Sequence, residues 1–330
     1  MIEAEGLSKT FDDFTAVRHL CLNVAAGELL ALLGPNGAGK TTTVRMLGAI
    51  LKPSQGWARV NGYDVVRQAD QVRRSIGMLT EHPGLYLRMT GLEYLTFYGR
   101  LYGLSEAASR GRSLALFERF DMPGAAGRRL GEYSKGMRQK VGLIRSMLHD
   151  PAVLLLDEPT SAMDPHSAKL VRDAILELRN GQRTIIFCTH NLAEAEALAD
   201  RIAIIKQGSI VAQGTPAGLK QQLLGRPQLE VQVDRPLNGE VQALGDLVTV
   251  VSVSENTIRF HADEPQATNP RLVRRLSELG LGVVALYQIP QSLEAVYLRV
   301  VAGADARAGA DARAGADAGP QGRPEGEGEA

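Results

Sequence analysis

Gly34-Pro35-Asn36-Gly37-Ala38-Gly39-Lys40-Thr41-Thr42 is the stretch on which the reading of this chain turns. It has the spacing G-x-x-x-x-G-K-[ST], follows the apolar run Leu29 to Leu33 and precedes Lys40 to Leu51, whose pattern predicts a helix. Glycines let the backbone curl so that successive N–H groups face phosphate oxygens. The helix that follows points the positive end of its dipole at the same oxygens. Lys40 then reaches the β- and γ-phosphates of a nucleotide, and the Thr41 hydroxyl joins the shell of a Mg²⁺ ion. A merely structural glycine turn has no need of that lysine and hydroxyl at that spacing.

The second stretch is Val153-Leu154-Leu155-Leu156-Asp157-Glu158, a buried-strand pattern ending in two acids. The strand sets Asp157 beside the metal and aims Glu158 at the attacking water as general base. Together the two stretches identify a P-loop NTPase. The alternation of short apolar runs with helical segments as far as Thr215, Thr184 to Cys188 among them, predicts an α/β fold with a parallel sheet. Between about Arg88 and Met122 the chain turns helical, with Leu92, Leu95, Tyr98 and Leu101 near helical spacing. This predicts a helical insertion over about 88–150. Ile202, Ile204, Ile210 and Ala212 around Gly208 predict two strands joined by a turn, closing a main domain of residues 1–225.

Beyond a linker at Gly225-Arg226-Pro227, Leu229, Val231 and Val233 alternate with polar residues, as do Ile258 and Phe260. Leu272, Leu276 and Leu279, and later Leu293, Val296, Tyr297 and Val300, have helical spacing. Residues 228–300 are therefore expected to form a small α+β domain. From Val301 the chain repeats Ala-Gly-Ala-Asp-Ala-Arg and ends Gly/Pro/Glu-rich, so a disordered tail is expected over 301–330.

Charge excludes some classes of partner. Thirty-seven basic and 37 acidic residues cancel, so no global field draws the chain to nucleic acid or anionic lipid. Cys21 and Cys188 share no metal-ligand spacing and read as buried small apolar side chains in a reducing compartment. No apolar stretch approaches the ~20 residues that cross a bilayer, and Met1 to Glu5 does not begin a secretory leader. A cytoplasmic protein is expected, and any membrane role requires a partner.

Shortly before the acidic strand, Tyr133-Ser134-Lys135-Gly136-Met137-Arg138-Gln139-Lys140 opens a predicted helix. Here the chain resembles the ABC (ATP-binding cassette) ATPase family, whose Leu-Ser-Gly-Gly-Gln signature sits at this place. Ser134 and Gly136 match its second and fourth positions, while Tyr133, Lys135 and Met137 depart from it. The resemblance implies a head-to-tail pair of cassettes, in which Ser134 and Gly136 complete the γ-phosphate site of the other cassette. Ser161-Ala162-Met163-Asp164 resembles the family's D-loop, and His190 its switch histidine at the γ-phosphate. Phe11 resembles the aromatic residue that stacks on adenine, with Phe14 the competing candidate. In Ile76-Gly77-Met78-Leu79-Thr80-Glu81-His82, Glu81 stands where the family usually has glutamine. By resemblance it approaches Mg²⁺ through oxygen and links nucleotide to the helical insertion, with an added negative charge. The likeness covers roughly Met1 to Gly214.

Within the family, the Tyr133 to Lys140 segment, Glu81 and Ile289 to Leu298 look like ATPases of antibiotic and multidrug exporters of the type-two group. That implies ATP and Mg²⁺ as cofactors, integral membrane permease subunits on separate chains, and a second ABC cassette, identical or related. It also implies peripheral attachment to the inner face of the cell membrane, with the permease docking between Glu81 and Leu101 around Tyr86, Leu87 and Met89. An importer ATPase would share every catalytic residue. A soluble ABC ATPase of nucleic acid or ribosomes is disfavoured by the single phosphate loop, the lack of zinc-type cysteines and the neutral charge, so no nucleic-acid partner is expected. A non-catalytic cassette is disfavoured because Lys40, Asp157, Glu158 and His190 are all present.

Overall fold

The computed structural model describes residues 1–300 other than 82, 162, 180–182, 227 and 291. The expected tail, 301–330, lies outside the described residues, as do His82, Ala162, Pro227 and Gln291 of the segments quoted above. The chain begins β1 (Ile2–Phe11), β2 (Phe14–Val24), β3 (Leu29–Leu33), α1 (Lys40–Leu47), β4 (Gln55–Val60), β5 (Tyr63–Asp64), α2 (Ala69–Ser75) and β6 (Ile76–Leu79). It continues with α3 (Gly91–Leu101), α4 (Glu106–Arg119), α5 (Lys135–Met147), β7 (Val153–Asp157), α6 (Pro165–Arg179), β8 (Thr184–Thr189) and α7 (Leu192–Leu198). Then come β9 (Arg201–Lys206), β10 (Ser209–Gly214), α8 (Pro216–Leu224), β11 (Leu229–Val233), β12 (Thr249–Ser254), β13 (Thr257–His261), α9 (Pro265–Glu278) and β14 (Val283–Gln288).

Two compact units result, Met1–Pro216 and Ala217–Arg299. Their boundary precedes the Gly225-Arg226-Pro227 linker, so α8 groups with the second unit instead of the first. Gly and Pro mark where a chain can turn, whereas packing decides which unit a helix joins.

The first unit contains a six-stranded sheet in the order β10-β9-β3-β8-β7-β6, parallel except for β10. Every residue of β3, β7 and β8 is buried, as a parallel sheet covered on both faces requires. A second, antiparallel sheet runs β2-β1-β4-β5. Sequence reading did not foresee it, because register shifts between Ala4 and Thr10 break the alternation of β1. Leu7, Leu20 and Leu22 of this sheet join Val44 and Leu47 of α1 and Leu32, Leu155 and Ile186 of the central sheet in one core cluster. Cys188 is buried but Cys21 is exposed, contrary to expectation, because it takes the outward register of β2 between buried Leu20 and Leu22.

Helix α1 ends at Leu47, not Leu51. Ala49 is left-handed (φ 53°), and the amides of Ile50 and Leu51 return to the Arg45 carbonyl at 2.9 and 3.1 Å, closing the helix end. Helix α3 starts at a reciprocal cap in which Thr90 Oγ1 accepts from the Glu93 amide and the Glu93 carboxylate accepts from the Thr90 amide. Strands β9 and β10 are joined at Gln207 and Gly208, both at positive φ, the tight turn the right-handed strand twist favours.

The second unit is an antiparallel sheet in the order β12-β13-β11-β14 with α9 packed by Leu272 and Leu276. Its core holds Leu229, Val231, Ile258 and Phe260, the residues whose alternation marked the strands.

Candidate active site

The loop from Gly34 to Gly39 joins the C-terminal end of β3 to α1. Gly34 passes so close to β9 that an added Cβ would lie 2.3 Å from the Ile205 carbonyl oxygen. Gly39 has φ 105°, and a Cβ there would meet the Ala16 carbonyl at 2.6 Å. The close passage to β9 and the left-handed turn into α1 thus exclude side chains at both positions. Helix α1 has no side-chain cap at Gly39 and no acid in its first turn, so its leading N–H groups are left to an anion. A cavity of about 510 Å³ opens there, lined by residues 35–42 and by Glu81, Asp157, Glu158, Ser161 and His190.

Lys40 is buried and its Nζ donates to the carbonyls of Gly34 (2.6 Å) and Pro35 (3.3 Å), 3.5 Å from Glu158 Oε1. His190 Nδ1 lies 3.0 Å from each Glu158 carboxylate oxygen. Glu158 itself is left-handed at φ 51°, a conformation costing a non-glycine residue about 1–3 kcal/mol unless its surroundings fix it. They do so through three bonds. Its amide donates to the Cys188 carbonyl at 3.1 Å, and its carbonyl accepts from the Ser161 amide (3.1 Å) and from Gln139 Nε2 (3.2 Å).

Asp157 ends β7 with both carboxylate oxygens buried and without a hydrogen-bond partner among the described residues. Burial pushes its carboxyl up, Glu158 and Glu81 push further, and the nearby Thr41 hydroxyl and Lys40 oppose them. Two orphaned oxygens of one carboxylate, with the Thr41 hydroxyl and the Glu81 carboxylate nearby, fit a hard divalent cation. No group of three His, Cys, Asp or Glu side chains among the described residues encloses such an ion.

The structure thus gathers the loop, Lys40, Thr41, Thr42, Glu81, Asp157, Glu158 and His190 around one cavity. Phe11 is not part of the lining: Phe14 and Ala16 are, sharing one register of β2, while Phe11 lies under the Lys9 ammonium, 5.0 Å from its ring centroid. Ser134 and Gly136 stand apart from the lining at the start of α5, where Ser134 Oγ accepts from the Met137 amide. Tyr133, the first departure from the signature, is buried and donates to the Ala125 carbonyl. Burial pushes its hydroxyl up to about 12. A Cβ on Gly91 would sit 2.4 Å from that hydroxyl, so this glycine makes room for the larger ring. Sequence reading missed Gln139 as a partner of Glu158, although a polar residue buried on an amphipathic helix is a usable signal.

A family model described as ABC transporter matches residues 17–161. The daunorubicin resistance ATP-binding protein DrrA3 of Streptomyces coeruleorubidus is 36% identical over 310 residues, 93% of this chain and 97% of that protein. The chain belongs to the ABC transporter family. As an ABC ATPase it is the ATP-binding and ATP-hydrolysing subunit of a transporter. A second relative, the Nod factor export ATP-binding protein I of Rhizobium sp. (strain N33), is 33% identical over 91% of this chain and 96% of its own length. A solved ATP-binding subunit of an ABC transporter superposes with a TM-score of 0.64 at 30% identity, over 68% of this ABC ATPase and 94% of that chain. No helix among the described residues is long and apolar enough to cross a membrane.

Proposed function

We propose that this ABC ATPase energises export of a small molecule through separate membrane permease subunits, working as one of two facing cassettes at the inner face of the cell membrane. The observation that carries the reading is the extent of likeness to DrrA3, 93% of the chain, which takes in the second unit as well as the cassette. One of these relatives is named for daunorubicin resistance and the other for Nod factor export.

The first-turn amides of α1 and the Lys40 ammonium hold the phosphates. Thr41, Asp157 and Glu81 would hold a Mg²⁺ ion, which would supply charge neutralisation during phosphoryl transfer. Glu158 accepts a proton from the water that attacks the γ-phosphate in line, and His190 orients that carboxylate from 3.0 Å. Phe14 offers a ring face to the base. Ser134 and the amides that open α5 complete the γ-phosphate site of the facing cassette. The permease docks on the exposed apolar side chains Tyr86, Leu87, Phe97 and Leu101, which Tyr86 and Phe97 knit by an edge contact at 6.2 Å.

The test is co-purification from detergent-solubilised membranes, followed by ATP-driven transport in inside-out vesicles with wild type and Glu158→Gln. A multispanning partner, with ATP-dependent uptake lost in the variant, is the expected result. Recovery with ribosomes or DNA only, or ATP-driven movement in the importing direction, would sink the reading.

A further inference from the structure

One buried carboxylate outside the cavity lining takes part in no step described so far. Glu194, on α7, is buried, and its two oxygens accept from two hydroxyls: Thr160 Oγ1, in the loop after β7, at 2.6 Å and Thr189 Oγ1, at the end of β8, at 2.7 Å. Thr160 follows Glu158 by one intervening proline, and Thr189 immediately precedes His190. Each threonine thus stands next to one member of the water-directed pair. Thr189 Oγ1 also accepts from the Asn191 amide at 3.0 Å, while Asn191 Oδ1 caps α7 by accepting from the Glu194 amide at 3.2 Å.

A carboxylate in this position has a cost that a plain packing residue would avoid. Its neighbours on the buried face of α7 are Ala195 and Leu198, and a leucine at 194 would cover the same surface. Burying an ionised group is unfavourable unless it is hydrogen-bonded, and here both oxygens are, by charge-assisted bonds. Glu158 meanwhile depends on its surroundings to remain left-handed.

We propose that Glu194 is a positioning residue for ATP hydrolysis: its carboxylate clamps Thr160 and Thr189 and so keeps Glu158 and His190 in register. The proposal rests on Glu158 being the general base. A displacement of about 1 Å in a catalytic group costs about 10²-fold in rate. Nucleotide binding, which rests on the loop and Lys40, is left in place.

The test is steady-state ATPase kinetics of the full-length chain with Mg·ATP, kcat being referred to sites counted by nucleotide titration. Glu194→Leu should lower kcat by about 10²-fold with KM changed less than about threefold. Glu194→Gln, whose amide can meet both hydroxyls again, should restore most of that loss. Thr160→Val should lower kcat, Thr160→Ser should keep it, and Thr160→Val combined with Glu194→Leu should be no worse than Glu194→Leu alone. If Glu194→Leu does not fold, the isosteric Thr160→Val decides. Wild-type kcat in Glu194→Leu or in Thr160→Val, or a loss expressed only in KM, would overturn the clamp. Glu158→Gln is run alongside: if it keeps full turnover the base assignment fails, whereas if it is inactive while Glu194→Leu turns over normally only the clamp fails.

Discussion

The Nδ1 atom of His190 is equidistant, at 3.0 Å, from the two carboxylate oxygens of Glu158, although the residues directly follow different strands, β8 and β7. Parallel pairing sets Asp157 opposite Cys188, and the two chains leave the sheet side by side. Replacing Glu158 with Gln keeps the shape and removes the proton acceptor. Turnover should fall by about 10²–10⁴-fold while nucleotide still binds. Phosphate release and a nucleotide titration on the same sample check both halves.

Glu81 contributes charge as well as an oxygen to this region, since it helps push the Asp157 carboxyl up. With one negative charge fewer, Glu81→Gln should need about three- to tenfold more Mg²⁺ for half-maximal turnover, and Glu81→Ala more again. The measurement is ATPase rate against Mg²⁺ at fixed nucleotide. An unchanged Mg²⁺ profile in Glu81→Ala would remove Glu81 from the metal site.

The Tyr133 hydroxyl packs against Gly91 at the start of α3. A methyl at 91 would fall 2.4 Å from the Tyr133 hydroxyl and 2.6 Å from the Phe117 ring. Gly91→Ala should therefore destabilise the protein by about 1–3 kcal/mol in a urea melt. The double variant with Tyr133→Leu, which restores the family's usual residue, should recover part of that.

His149 stacks on Tyr102 with ring centroids 3.7 Å apart, and its Nε2 lies 3.0 Å from the Ile76 carbonyl. Burial holds its pKa below the usual histidine value. The unfolded chain therefore takes up the proton first. The stability this neutral ring contributes is complete above about pH 6.5 and is lost as pH falls through the lowered folded value. Urea melts at pH 7.5 and 5.5 should show a smaller acid-induced loss in His149→Gln than in the wild type.

The sequence by itself determined the chemistry. A glycine loop, a lysine, a hydroxyl and two acids after an apolar run are local patterns, each legible because strand, turn and helix recur at fixed spacing. Leu229, Val231, Ile258 and Phe260 announced the second unit in the same way, and so did Ile202 to Ala212 for the closing hairpin. That Phe14 and not Phe11 lines the cavity depended on which strand register meets the loop, and the burial of Tyr133 depended on an approach by Gly91 from another segment. Only the tertiary structure decided these. It alone also brought Glu194 onto Thr160 and Thr189 and Gln139 onto the Glu158 carbonyl, because parallel strands far apart in sequence end at one edge of the sheet. Spacing along a chain records which groups a site contains. The distances that align those groups arise from packing between segments, which no local pattern encodes.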